Sequence, residues 1–139
     1  MATKQVIIMR KDLRDINDNK IHTGKLIAQG AHASMKVFFD KMRQDHLTTS
    51  TAFASKTIDF TEEELEWVDG IFTKVCLAVN SEKELLDIYS QAKEAKLNCS
   101  LIQDAGLTEF GGVKTYTCCA IGPNNSDAID KITSNLSLF

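Results

Sequence analysis

Short apolar runs, separated by stretches of helical periodicity, confine this chain to an α/β fold. Residues 5–9 hold Val6-Ile7-Ile8 without alternation, the pattern of a strand buried on both faces. Residues 72–79, 98–102 and 115–121 read as three further strands. Residues 24–43 are predicted helical, with Thr23 as the N-cap and small residues (Ala28, Gly30, Ala31, Ala33, Ser34) that permit close packing on a sheet. Thr61-Glu62-Glu63-Glu64 and Ser81-Glu82-Lys83-Glu84 are capping-box signatures opening two more helices. The second carries Leu85, Ile88, Tyr89 and Ala92 at helical spacing. Residues 46–59 lack periodicity and read as a loop. Gly122-Pro123-Asn124-Asn125 reads as a turn before a last helix with Ile129, Ile132 and Leu136. The order β-α-α-β-α-β-β-α predicts a mostly parallel sheet covered on both faces. The short link between the last two strands predicts one antiparallel pairing.

The 139 residues suit one domain, residues 1–139. With 43% hydrophobic and 25% charged residues, the composition excludes disordered and collagen-like chains. No apolar run approaches the roughly 18 residues of a membrane span. The run ending at Arg10 is too short for a signal-peptide core, so a soluble, cytoplasmic protein without a membrane partner is expected. Cys76, Cys99, Cys118 and Cys119 lie in strand-like runs without paired spacing, as expected of buried free thiols. The net charge of −3 conceals an asymmetry. Residues 1–43 carry nine Lys/Arg against four Asp/Glu, and the rest seven against fifteen. That basic segment permits a polyanion partner without establishing one.

On the first helix Lys25, Gln29, His32 and Lys36 share one narrow stripe. The sheet is expected to bury Leu26, Gly30, Ala33 and Val37, and also Ile27, Ala31, Ser34 and Phe38, leaving the polar stripe outward. Such a stripe is either an ordinary solvated face or a site. Two features favour a site: Lys25 lies in the first turn, where free N–H groups and the helix dipole attract anions, and His32 can exchange a proton near neutral pH. His22 and His46 fall in predicted loops and read as solvated. Phe38 and Phe39 are either buried by the helix or an apolar patch for a homodimer.

The second candidate is Asp104-Ala105-Gly106-Leu107-Thr108-Glu109, just beyond the third strand, where ligands bind in α/β sheets. Asp104 could serve as a base or orient a water or an imidazole, and Thr108 could donate to an oxyanion. The alternative is a turn that merely satisfies backbone geometry. There is no P-loop and no metal-ligand spacing among the His and Cys residues.

Four blocks carry a family resemblance in order and spacing. They are Met9-Arg10-Lys11-Asp12-Leu13, then Gly24-Lys25-Leu26-Ile27-Ala28-Gln29-Gly30-Ala31-His32-Ala33, then Asp104 to Glu109, and Ala120-Ile121-Gly122-Pro123 followed by Ile129-Asp130-Lys131-Ile132-Thr133. From about Lys4 to Leu138 the chain resembles the archaeal and eukaryotic (second) class of peptidyl-tRNA hydrolase. The resemblance implies a three-layer α/β/α sandwich with a four-stranded mixed sheet. It also implies cytoplasmic hydrolysis of the ester between a peptide, or an N-blocked amino acid, and the tRNA acceptor end, with no metal or organic cofactor. The matching site positions are Lys25, Gln29, His32, Asp104 and Thr108. Lys25, His32, Asp104 and Thr108 are the expected catalytic residues, and Gln29 and Lys36 the expected substrate contacts. Three departures stand out. Gly30 replaces a frequent Cys, and Leu107 and Glu109 replace a frequent Arg and Gln. The segment from Asp15 to Thr23 replaces a basic, glycine-rich approach. The Leu-Thr-Glu form points to a bacterial or phage-like branch. A non-catalytic RNA- or protein-binding module on the same fold is the alternative that these changes leave open.

Overall fold

The computed structural model describes residues 2–44 and 55–139; His46 lies outside the described residues. The elements are β1 (Thr3–Arg10), α1 (Thr23–Phe39), β2 (Arg43–Gln44), β3 (Lys56–Thr57), α2 (Glu62–Asp69), β4 (Lys74–Val79), α3 (Glu82–Glu94), β5 (Cys99–Asp104), β6 (Thr115–Asn125), α4 (Ser126–Thr133) and β7 (Ser137–Leu138). Five strands form one mixed sheet in the order β5-β6-β1-β4-β7, and β2 and β3 make a separate two-stranded ribbon.

The sheet therefore has five strands rather than four, and it is not mostly parallel. β1 and β4 pair in parallel, whereas β1–β6, β5–β6 and β4–β7 are antiparallel. The reason is topological. β1, β4 and β5 all run the same way, as strands joined through helices should. However, β6 runs oppositely and lies between β1 and β5, replacing a parallel contact with two antiparallel ones. β7 escapes a periodicity reading because it has two residues. The expected turn at Gly122 to Asn125 is instead the end of β6, which continues past a register shift to pair Asn124 with Lys4 and Asn125 with Thr3.

Helices cover both faces, which explains the unbroken apolar character of β1. Val6 and Ile8 point into a core built with Leu85, Ile88 and Ala92 of α3 and Ile129 of α4. Met9 points the other way, into a core with Ala33 and Val37 of α1, Ile102, Phe110, Cys118 and Ala120. The small residues of α1 let the sheet reach its backbone. Ser100 Oγ donates to the Ala33 carbonyl (2.7 Å), Cys118 Sγ to that of Gln29 (3.2 Å), and Gln5 Nε2 to that of Ser34 (3.2 Å). Cys118 is a protonated donor here, because burial raises its pKa to about 12. Cys118 and Cys119 are buried and Cys99 half-buried, but Cys76 is exposed, against expectation. It faces a part of the sheet that α1 leaves uncovered.

That offset of α1 corrects its expected orientation. The helix lies over β6 and β5 more than over β1. Gly30, Ala33 and Val37 are buried as expected, but Ile27 is 68% exposed and Ala31 is also exposed. They border an open apolar groove of about 680 Å³ shared with Met35, Phe72, Cys76 and Phe139. Phe38 is half-buried, stacked on Trp67 with centroids 5.9 Å apart, and Phe39 is exposed. The N-cap is His22, one residue before the expected Thr23, and no side chain caps the helix.

The box at Thr61 forms fully, since the Thr61 side chain accepts from Glu64 N and Glu64 accepts from Thr61 N. At Ser81 it half-forms, since Glu84 accepts from Asn80 N instead. Glu64 does more than cap. Its fully buried side chain also accepts from Lys41 and, at 2.9 Å, from Asn98 Nδ2, joining α2 to the end of α1 and to the approach to β5. Burial alone would raise its pKa, but the bonds from Lys41, Thr61 N and Asn98 outweigh it and leave it lowered. A lowered folded-state pKa gives stability that is present above the unfolded value and lost as pH falls through the folded one. Glu64→Ala should therefore cost about 3 kcal/mol in urea unfolding at neutral pH, with the deficit shrinking in acid. A pH-independent deficit under 0.5 kcal/mol, roughly a surface-substitution effect, would contradict this account.

Candidate active site

β5 ends at Asp104, and the loop from residue 105 to 114 turns back over the first turns of α1. Its path needs glycine at 106, where φ is +80° and an added Cβ would meet the Val113 carbonyl oxygen at 2.1 Å. Phe110 is the loop's apolar anchor, buried against Leu13, Ile21 and the α1 core. Gly106 N donates to Asp104 Oδ2 at 2.9 Å.

This turn places Asp104 beside two residues of α1. Lys25 Nζ donates to Asp104 Oδ1 (2.9 Å) and to Thr108 Oγ1 (3.0 Å), and Gln29 Nε2 donates to the same Asp104 oxygen (3.2 Å). Lys25 and Asp104 are 17% and 14% exposed, so their attraction is screened less than that of a surface pair. Desolvation pushes the Asp104 pKa up, but the Lys25 and Gly106 bonds, the Lys25 charge and the Gln29 bond together hold it below the ordinary carboxylate value. Asp104 is an anion at neutral pH.

Gln29 does not face outward. It is 2% exposed, and its Oε1 accepts from Thr117 Oγ1 of β6 at 2.5 Å. The expected outward stripe is thus split: its Lys25–Gln29 end turns under the loop because α1 sits over the β5–β6 edge. His32 is exposed and, among the described residues, no hydrogen bond or ion pair joins it to Asp104. It lines a separate groove of about 480 Å³ with Lys36, Phe39, Leu101 and Gln103. Lys36 pairs with Asp40 at 2.6 Å. The structure therefore brings together Lys25, Gln29, Asp104 and Thr108, and leaves His32 and Lys36 outside that cluster.

Two contacts beside the cluster escaped the sequence reading. Thr117 was hidden in the apolar run of β6, although a hydroxyl buried between Tyr116 and Cys118 is a signal in itself. His22, read as solvated, has Nδ1 at 2.5 Å from Glu109 Oε1. Among the described residues, no three His, Cys, Asp or Glu side chains converge to hold a metal ion.

Comparison with known proteins places the chain in a family. Residues 3–139 match the family model described as peptidyl-tRNA hydrolase PTH2. The chain belongs to that family. It is 38% identical over 136 residues to a peptidyl-tRNA hydrolase of Methanocaldococcus jannaschii, spanning 98% of this chain and 99% of that protein. Identity is 38% to the one from Methanothermobacter thermautotrophicus and 35% to that of Haloquadratum walsbyi, each over 98% of this chain and 99% of the relative. These peptidyl-tRNA hydrolases are archaeal, so they give no support to a bacterial or phage-like branch.

Thr117 enters the cluster through its bond to the buried Gln29. Thr117→Val keeps the shape and removes the donor to Gln29, leaving a buried carbonyl unpaired. It should cost about 1–2 kcal/mol in urea unfolding and lower turnover of an N-acetylaminoacyl-tRNA. A variant with wild-type stability and rate would show that Gln29 is held by something else.

Proposed function

We propose that the chain hydrolyses the ester between a peptide, or an N-blocked amino acid, and the 3′ end of tRNA as one domain over residues 1–139, with Asp104, Lys25, Thr108 and Gln29 as the working group. Family membership supports the activity. The observation that carries the site is Lys25 Nζ bridging Asp104 and Thr108 from a helix 79 residues away in sequence from Asp104.

The Asp104 carboxylate orients a water, and Gln29, fixed by Thr117, holds that carboxylate in place. Water oxygen bonds to the ester carbonyl carbon while its proton passes to Asp104. As the tetrahedral intermediate collapses, the bond to the tRNA 3′ oxygen breaks and that oxygen takes the proton. An ammonium has three donors. Two are directed at Asp104 and Thr108, and the third serves the developing oxyanion, with the Thr108 hydroxyl as a second donor. His32 stands apart from Asp104, so the proton role goes to Asp104, and His32 with Lys36 receives the acceptor end along α1. Phosphate contacts there make binding salt-sensitive. The scheme uses no metal or organic cofactor and suits a cytoplasmic enzyme; no described helix is long and apolar enough to cross a membrane. For a homodimer, Ile27, Met35 and Phe39 along one exposed flank of α1 are the surface to use. A single 15.4 kDa species in sedimentation equilibrium would remove that proposal.

The test is release of N-acetylaminoacyl groups from tRNA in EDTA. Wild-type turnover should persist, and Asp104→Asn and Lys25→Ala, shown to be folded, should each lose about 10²–10³-fold. Wild-type rates in both variants would place the site elsewhere. tRNA binding without any turnover would return the non-catalytic module.

A further inference from the structure

The mouth of the cluster carries an ion pair that the scheme above does not use. His22 immediately precedes α1 and lies three residues before Lys25; Glu109 follows Thr108. His22 Nδ1 lies 2.5 Å from Glu109 Oε1. The two groups meet solvent very differently: the His22 side chain is 82% exposed and that of Glu109 17%. The second oxygen of Glu109 is buried and has no hydrogen-bond partner among the described residues. Water therefore damps this carboxylate poorly, while the bulk pH reaches its partner freely.

We propose that His22 masks the Glu109 carboxylate at the entrance of the site, and that this mask sets how strongly the site takes the phosphate-bearing 3′ end of tRNA. With His22 protonated the pair is neutral. With His22 neutral, a negative charge remains beside Thr108, facing an incoming polyanion. The ring can still donate through Nδ1–H when neutral, so the loop stays attached to α1 and the chemistry behind it is undisturbed. Charge changes; position does not.

The charges around the pair are consistent with this division. The hydrogen bond to Glu109, then its negative charge, raise the His22 pKa above the usual imidazole value against a small desolvation effect, and Asp15 of the loop before α1 adds to the rise. Lys25 on the next turn and Asp104 across the site are committed to each other. The mask is therefore complete in mild acid and lost as pH rises through the raised His22 value. This inference rests on the placement of the substrate at Lys25, Asp104 and Thr108.

Steady-state kinetics on N-acetylaminoacyl-tRNA from about pH 5.5 to about pH 8.5 test it. Wild-type KM should rise about fivefold across that range at low salt, with kcat changing much less. Glu109→Gln, which leaves His22 a lone cation in acid and no charge in base, should give a lower KM than wild type at both ends of the range. His22→Ala should hold it at the high-pH value throughout; no capping bond is lost, since His22 makes none with its side chain. The double variant, which lacks both charges, should match wild type near the acid end of the range and have an about fivefold lower KM near the basic end, and raised salt should erase the differences. A double variant whose KM equals that of wild type at the basic end, or a Glu109→Gln KM equal to the wild-type one there, would overturn the mask. So would single variants that lower kcat at constant KM regardless of salt, which would make the pair a mechanical strap. Failure of the site itself reads differently: a folded Asp104→Asn enzyme would then remain active.

Discussion

Lys25 and Asp104 meet at 2.9 Å although 79 residues separate them, and the arrangement of the site follows from that contact. One partner comes from the first turns of α1, the other from the end of β5. Gln29, itself fixed by Thr117, supports Asp104 from the buried side. Removing a single partner of a shielded pair leaves the other charge uncompensated. The same contact that orders α1 against the loop thus fixes the ionisation of Asp104, since Lys25 contributes most to holding its pKa down.

The sheet order explains why such a site can exist here. β6 lies between β1 and β5, so α1 spans the antiparallel half of the sheet and its N-terminal turns reach the end of β5. Ser100 and Cys118 draw the helix backbone close through bonds to the Ala33 and Gln29 carbonyls. A bulkier residue than Ala33 would push α1 outward and lengthen the Lys25 contact. Packing of small residues in this sense sets the position of Lys25. The opposite edge of the sheet carries no such demand, and there the exposed side of α1 borders an open apolar groove.

Much of this was legible in the sequence, for reasons that differ by element. Val6-Ile7-Ile8 announced a strand covered on both faces, and the Thr61 box announced α2, because each signal is local. Lys25, Asp104 and Thr108 were legible through family resemblance, and the structure brings them together. Gln29 was misplaced because a helical wheel gives relative angles, and only the position of α1 over β5 and β6 decides which arc is buried. The sheet was misread because strand direction is signalled by the crossovers, whereas neighbour order is decided by non-local pairing. His22 and Glu109 were separately visible as a polar loop residue and an unusual acid. Nothing in one dimension joined them.

The most direct measurement is a carbon-13 NMR titration of the Asp104 carboxyl in the wild-type protein and in Lys25→Met. The account predicts a pKa below the ordinary aspartate value of 3.8 in the wild type, and a clear rise in the variant, where burial acts with less opposition. An ordinary value that does not move when Lys25 is removed would mean that the two side chains are not coupled in solution, and the site as described would not stand.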